Sequence, residues 1–193
     1  MKTLNKFELN EVQEEEIPAR RLTGNRIPRD YFLTSGLGES DITIHAGSYH
    51  LALRDAGIEM CNIISYSSIM PAIATEISKP KVLVHGSVME CITAVSNSKS
   101  GERATAGIIF AWLHNKKSGR KHGGLVCEYN GHDEVSVAKV ELKASLNELY
   151  TNGYSDKYEL KNEKLITKNF IPHKKHGTAI VAICFLNYLY PVV

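Results

Sequence analysis

Asn62-Ile63-Ile64-Ser65-Tyr66-Ser67-Ser68-Ile69-Met70-Pro71 is the stretch on which the reading of this chain turns. An apolar, β-branched run from Ile58 to Tyr66 predicts a strand, the serine pair follows it, and Pro71 forbids its continuation through the middle of a sheet. A strand that ends at a hydroxyl-rich turn results. Two serines in such a turn commonly satisfy nearby backbone groups. The same arrangement also permits a serine hydroxyl, held in a strained turn with a strand packed behind it, to attack the carbonyl of the preceding peptide bond.

Upstream, Tyr31-Phe32-Leu33 begins an apolar strand that is expected to stop at Gly36-Leu37-Gly38, and His45 to Ala56 predicts a short helix closed by Gly57. Residues 1–30 carry a block of glutamates and then a block of arginines, with few large apolar side chains, and are expected to form a flexible or surface-lying arm. Downstream, Lys81 to Val95 and Thr105 to Leu113 are strand-like and joined by a polar loop, Ser96 to Arg103. A basic hairpin, Asn115 to His122, leads to a strand over Gly124 to Tyr129. Val135, Val137, Val140, Leu142, Leu146 and Leu149 space an amphipathic helix over Glu134 to Tyr150, and Gly177 to Tyr190 predicts a buried strand. About six strands and two helices, in the order β-α-β-β-β-β-α-β, make an α/β layered domain over residues 31–193.

The 193 residues suffice for one well-buried core, and 43% hydrophobic with 23% charged residues is a globular balance. A net charge of +2 offers too little for nucleic acid. No run approaches the ~18 apolar residues of a membrane helix, and acids occupy the place of a signal peptide's apolar region, so a cytoplasmic protein without membrane contact is expected. Cys61, Cys91, Cys127 and Cys184 are widely spaced in apolar surroundings and read as small buried thiols. The eight histidines make no H-x-x-x-H pair, and no metal site is expected. Gly36-Leu37-Gly38 precedes Glu39 and Asp41, which would repel a phosphate, and the basic hairpin lacks the interleaved aromatics of a nucleic-acid surface.

Asn62, Ser67, Ser68, Ile69, Met70 and Pro71 stand in the order of a known signature: an asparagine six residues before the second serine of a pair, then an aliphatic residue, Met or Leu, and Pro. With Gly36-Leu37-Gly38-Glu39-Ser40-Asp41, Asp55-Ala56-Gly57-Ile58 and Gly123-Gly124-Leu125-Val126-Cys127-Glu128-Tyr129, the chain resembles the pyruvoyl-dependent arginine decarboxylases over roughly residues 30 to 190. The resemblance implies a four-layer αββα sandwich of the pyruvoyl-dependent histidine/arginine decarboxylase type, assembled as a trimer or a dimer of trimers with active sites between subunits. It implies self-cleavage between Ser67 and Ser68 into a β chain, 1–67, and an α chain, 68–193, with Ser68 becoming a covalent pyruvoyl group. That group would convert L-arginine to agmatine and CO2 through a Schiff base, without pyridoxal phosphate. Glu128 would be the proton donor, and Asn62 would position the serine pair and the substrate.

One position departs from the pattern. The family's aspartate for the substrate guanidinium, twelve residues before the asparagine, is His50 here. A guanidinium prefers a carboxylate, and a histidine offers one neutral acceptor. Three readings remain open: Asp41 or Glu59 supplies the missing charge, the substrate is another amino acid, or self-cleavage survives without catalysis. A non-enzymatic rival is an uncleaved scaffold in which Ser67-Ser68 is an ordinary turn. A hydrolase using Ser68 would lack the G-x-S-x-G elbow.

Overall fold

The computed structural model describes residues 26–190, so most of the expected arm lies outside the described residues. Nine strands and two helices follow in the order β1 (Ile27–Ser40), α1 (His50–Ala56), β2 (Asn62–Ser65), β3 (Ile69–Pro71), β4 (Thr75–Glu76), β5 (Val88–Lys99), β6 (Ala104–Asn115), β7 (Lys121–Gly131), α2 (Val135–Gly153), β8 (Tyr158–Phe170) and β9 (His176–Leu189) among the described residues. A π-helical turn over Ile44–Tyr49 runs directly into α1, and Gly57 ends that helix in the left-handed conformation at φ 69°. The strands form a five-stranded sheet, β2-β5-β9-β1-β4, and a four-stranded sheet, β3-β7-β6-β8.

Alternation along the central strands explains why they read as unbroken apolar runs. On β6, Ala104, Ala106, Ile108, Phe110 and Trp112 enter a core shared by both sheets, whereas Ile109, Ala111 and Leu113 pack with Ala138, Leu142 and Leu146 of α2. On β9, Ala179, Val181, Ile183 and Phe185 face the shared core, and Ile180, Ala182 and Cys184 pack with Ala52, Leu53 and Ala56 of α1. Both faces of each strand are thus hidden. Each large side chain so buried contributes roughly 1.5–3 kcal/mol.

Several boundaries differ from the sequence reading, each for a local reason. Strand β1 begins at Ile27 and continues through Gly36-Leu37-Gly38 to Ser40, because those glycines let α1 lie against the strand instead of stopping it. The strand expected from Lys81 starts at Val88, after Pro80 and a turn at Gly86 with φ 79°. It then runs through the expected polar loop to Lys99, where Ser96 is buried and its hydroxyl donates to the Gly131 carbonyl at 2.7 Å. Helix α2 leaves Val137, Val140 and Leu149 exposed, so only part of the expected apolar stripe is covered. Strand β8 has no counterpart in the sequence reading. Cys61, Cys91 and Cys184 are buried, Cys127 is half-buried, and all four are free thiols.

Candidate active site

Strand β2 is the outer strand of one sheet and β3 the outer strand of the other, so Tyr66, Ser67 and Ser68 carry the chain between sheets. Both sides of this crossing are pinned by backbone hydrogen bonds. The Tyr66 N–H donates to the Cys91 carbonyl at 2.7 Å, and the Ser68 carbonyl accepts from the Val126 N–H at 3.1 Å. Ile69 then pairs with Leu125 and Pro71 with Gly123, a place open to proline because β3 is an edge. Inside the crossing, the Ile69 N–H donates to the Ser67 carbonyl oxygen at 2.9 Å. That bond draws electron density from the carbonyl that a Ser68 hydroxyl would attack, as an oxyanion donor does.

Glu128 meets the crossing from β7. Two residues after Val126, it shares the strand face that Val126 turns toward the inter-sheet core. The Ser68 hydroxyl donates to its carboxylate, with Oγ 2.7 Å from Oε1 and 2.9 Å from Oε2. Ser68 and Glu128 are half-buried, whereas Ser67 is exposed. Cys127 turns the other way, toward the α2 core, and its thiol is pushed up to about 11, first by burial and then by the neighbouring Glu128 charge. A nucleophile, a carboxylate positioned to take its proton and a polarised carbonyl therefore converge within one chain.

The other sequence candidates lie elsewhere. Asn62 opens β2, three residues before Ser65, and its side-chain amide donates to the Gly86 carbonyl at 2.9 Å; among the described residues no hydrogen bond joins it to either serine. His50 is exposed at the first position of α1, over β1. Asp41 follows β1 and accepts from the Lys175 N–H at 3.3 Å, tying down the loop before β9. Strand β1 adjoins the crossing at its start, Ile27 and Pro28, whereas Asp41 follows its far end and α1 lies over Gly36 and Gly38, so at about 3.3 Å per residue both His50 and Asp41 sit roughly 25 Å or more along the sheet from the crossing in the same chain. Glu59 lines a separate cavity of about 340 Å³ with Lys79 and Lys81.

Two cavities bear on the site. One of about 270 Å³ adjoins the crossing and is lined by Arg26, Ile27, Pro28, Tyr66, Ser67, Ile69 and Pro71. A larger one of about 620 Å³ lies along α1 and the end of β1, between Leu37, Leu51 and Phe170, and carries Glu39, Arg54 and Asp55. Asp55 accepts from the Leu37 N–H at 2.9 Å and Glu39 from the His173 N–H at 2.8 Å, so both carboxylates are fixed. The sequence reading quoted Glu39 and Asp55 within the stretches that carry the resemblance but gave them no part in a site, and it missed Glu90, whose charge inside the apolar run Val88-Met89-Glu90-Cys91-Ile92 was the available signal. Among the described residues no three His, Cys, Asp or Glu side chains converge to hold a metal ion, and no helix is long and apolar enough to cross a membrane.

Comparison with known proteins bears on this geometry. A family model described as pyruvoyl-dependent arginine decarboxylase matches residues 30–189. The chain is similar to pyruvoyl-dependent arginine decarboxylase AaxB of Chlamydia abortus, at 32% identity over 188 residues, covering 86% of this chain and 94% of that protein. Pyruvoyl-dependent arginine decarboxylase 1 of Methanosarcina acetivorans is 31% identical over 134 residues, 65% of this chain and 78% of that protein. Pyruvoyl-dependent arginine decarboxylase of Picrophilus torridus is 30% identical over 160 residues, 75% of this chain and 85% of that protein.

Proposed function

Because the chain belongs to the pyruvoyl-dependent arginine decarboxylase family, we propose that it cuts itself between Ser67 and Ser68 and then decarboxylates L-arginine to agmatine. The observation that carries this reading is the Ser68 hydroxyl held on Glu128 beside a Ser67 carbonyl already hydrogen-bonded to the Ile69 N–H.

The chemistry follows from those groups. Glu128 takes the Ser68 hydroxyl proton as Oγ attacks the Ser67 carbonyl carbon, while the Ile69 N–H stabilises the developing oxyanion. The Ser67–Ser68 amide bond breaks, the Ser68 nitrogen gains a proton, and Ser67 is left esterified to Oγ. Loss of the Ser68 Cα proton expels Ser67 as a carboxylate and leaves a dehydroalanine, whose imine tautomer takes up water and releases ammonia. The resulting pyruvoyl group supplies a keto carbon for the substrate amine and an electron sink for the departing CO2. Glu128, freed from the serine hydroxyl, is then placed to hand a proton to the substrate carbon.

Substrate recognition on this reading needs a neighbouring subunit. His50, Asp41 and the 620 Å³ cavity lie at the far end of β1, whose start borders the serine crossing, which supports assembly as a trimer or a dimer of trimers with shared sites. Glu39 and Asp55 bring two carboxylates to that cavity against one guanidinium, Arg54, and so offer the negative charge that His50 lacks. Packing of α1 and α2 on opposite outer faces of two sheets with a shared core supports the four-layer αββα reading. Asn62, turned to Gly86, supports turn geometry from the start of β2.

The test is the denatured mass of the purified full-length protein, with and without a carbonyl-trapping reductant, followed by CO2 release from L-arginine. Fragments 1–67 and 68–193, the second with a reducible keto terminus, are expected. A single intact mass would overturn the reading in favour of an uncleaved scaffold. Cleaved protein that releases no CO2 from arginine would overturn the substrate alone.

A further inference from the structure

Tyr66, the residue before the scissile pair, is held by a polar assembly inside the shared core. Its ring packs on Phe185 with centroids 5.7 Å apart, and its hydroxyl donates to Glu90 Oε2 at 2.5 Å. Glu90 is 3% exposed, and its other oxygen pairs with Arg26, whose guanidinium lies over the Tyr188 ring at 5.2 Å from the centroid. A carboxylate this buried is costly unless both oxygens are engaged. Tyr66 and Arg26 engage them.

Glu90 also sits one residue before Cys91, whose carbonyl receives the Tyr66 N–H at 2.7 Å. Tyr66 is therefore fixed to β5 at both ends, by its backbone to Cys91 and by its hydroxyl to Glu90. Two residues later the chain is fixed again, by the Ser68 carbonyl on Val126 and the Ser68 hydroxyl on Glu128. Only Ser67 stands between the two anchors. We propose that Tyr66 and Glu90, with Arg26 as their counter-charge, are positioning residues for self-cleavage: they fix the near side of the crossing so that the Ser67 carbonyl stays in reach of Ser68 Oγ. The proposal rests on the cleavage read above. With Tyr66 free to turn, the carbonyl would swing away from Oγ, and an approach misplaced by about 1 Å can slow a reaction about a hundredfold.

The experiment follows cleavage of freshly made full-length protein by denatured intact mass in four forms: wild type, Tyr66→Phe, Glu90→Gln and Tyr150→Phe. Tyr66→Phe keeps the ring on Phe185 and removes only the hydroxyl. Tyr150→Phe is the control, since it deletes a hydroxyl bonded to the Tyr158 carbonyl at 2.8 Å, distant from the crossing. A hydroxylamine pulse measures the ester fraction, which a merely structural role would leave unchanged. Tyr66→Phe is expected to cleave about 10- to 100-fold more slowly than wild type with a smaller hydroxylamine-sensitive fraction, while Tyr150→Phe cleaves at the wild-type rate. Glu90→Gln, which keeps an acceptor for the Tyr66 hydroxyl but removes the charge that Arg26 balances, is expected to cleave at a rate between those of wild type and Tyr66→Phe. Cleavage of Tyr66→Phe at the wild-type rate, or equal slowing in Tyr150→Phe, overturns the positioning role alone. A wild-type chain that stays intact overturns the cleavage reading and this proposal together.

Discussion

Glu128 is the one hydrogen-bond partner of the Ser68 hydroxyl among the described residues, and it reaches that hydroxyl from a different sheet from the strand that leads into the serine pair. Removing the carboxylate leaves the nucleophile with no base of its own. Glu128→Gln is expected to slow cleavage and, in whatever fraction is cleaved, to lower CO2 release by about 10²- to 10⁴-fold, the range for a lost general acid or base. Intact mass reports the first effect and carbon dioxide capture the second. Ser68→Ala is expected to stay intact indefinitely.

The carboxylates of the larger cavity should act on binding more than on turnover. Asp55→Asn retains an acceptor for the Leu37 N–H but removes charge, and it is expected to raise KM for arginine about tenfold with kcat little changed. His50→Asp adds a carboxylate at the start of α1 and is expected to lower KM by a comparable factor. Steady-state kinetics on the cleaved enzyme checks both, and an unchanged KM in both variants would place arginine recognition elsewhere.

Helix α1 depends on the absence of side chains beneath it. A Cβ on Gly36 would stand 2.6 Å from the Ala56 amide nitrogen and within overlap of the Ala52 carbonyl oxygen. Gly36→Ala is therefore expected to lift the helix and cost about 1–3 kcal/mol. Urea unfolding measures it, and a midpoint equal to wild type would refute the close packing.

Alkaline pH should weaken the fold through Cys127. Burial and Glu128 raise its folded-state pKa to about 11, above that of an unfolded thiol near 8.5. The folded protein then holds a proton that the unfolded chain has lost, so this contribution is intact below about pH 8.5 and declines as pH rises toward 11. Stability curves across that window should show a shallower decline in Cys127→Ala than in wild type.

The serine crossing was legible because its chemistry sits in residue types at fixed spacing, and so were β6 and β9, whose two buried faces leave continuous apolar runs. Strand β8 was not. It pairs with β6 through a register shift between Phe110 and Trp112, and Asn162 within it adopts φ 55°, so alternation breaks where a period of two would reveal it. The glycines of β1 read as a stop because sequence shows their freedom and not the helix that exploits their small size. The distance between His50 and the serines is likewise a property of the fold, set by the length of β1, whose start borders the serines and whose far end carries α1. Glu90 was visible as a charge in an apolar run, but its meaning came from Tyr66 and Arg26 arriving from two other segments.

The crossing between sheets also decides what a cut there would leave behind. Residues before Ser68 supply β1 and β2 to the five-stranded sheet, while later residues supply β5 and β9, and β1 is zipped to β9 from Ile27–Leu189 to Ser40–His176. The two pieces are interwoven like the halves of a split protein. Separately made, 1–67 and 68–193 should each lack half of the central sheet and recover it only by complementing one another, so that folding, unimolecular in the uncut precursor, would depend on the concentration of both halves.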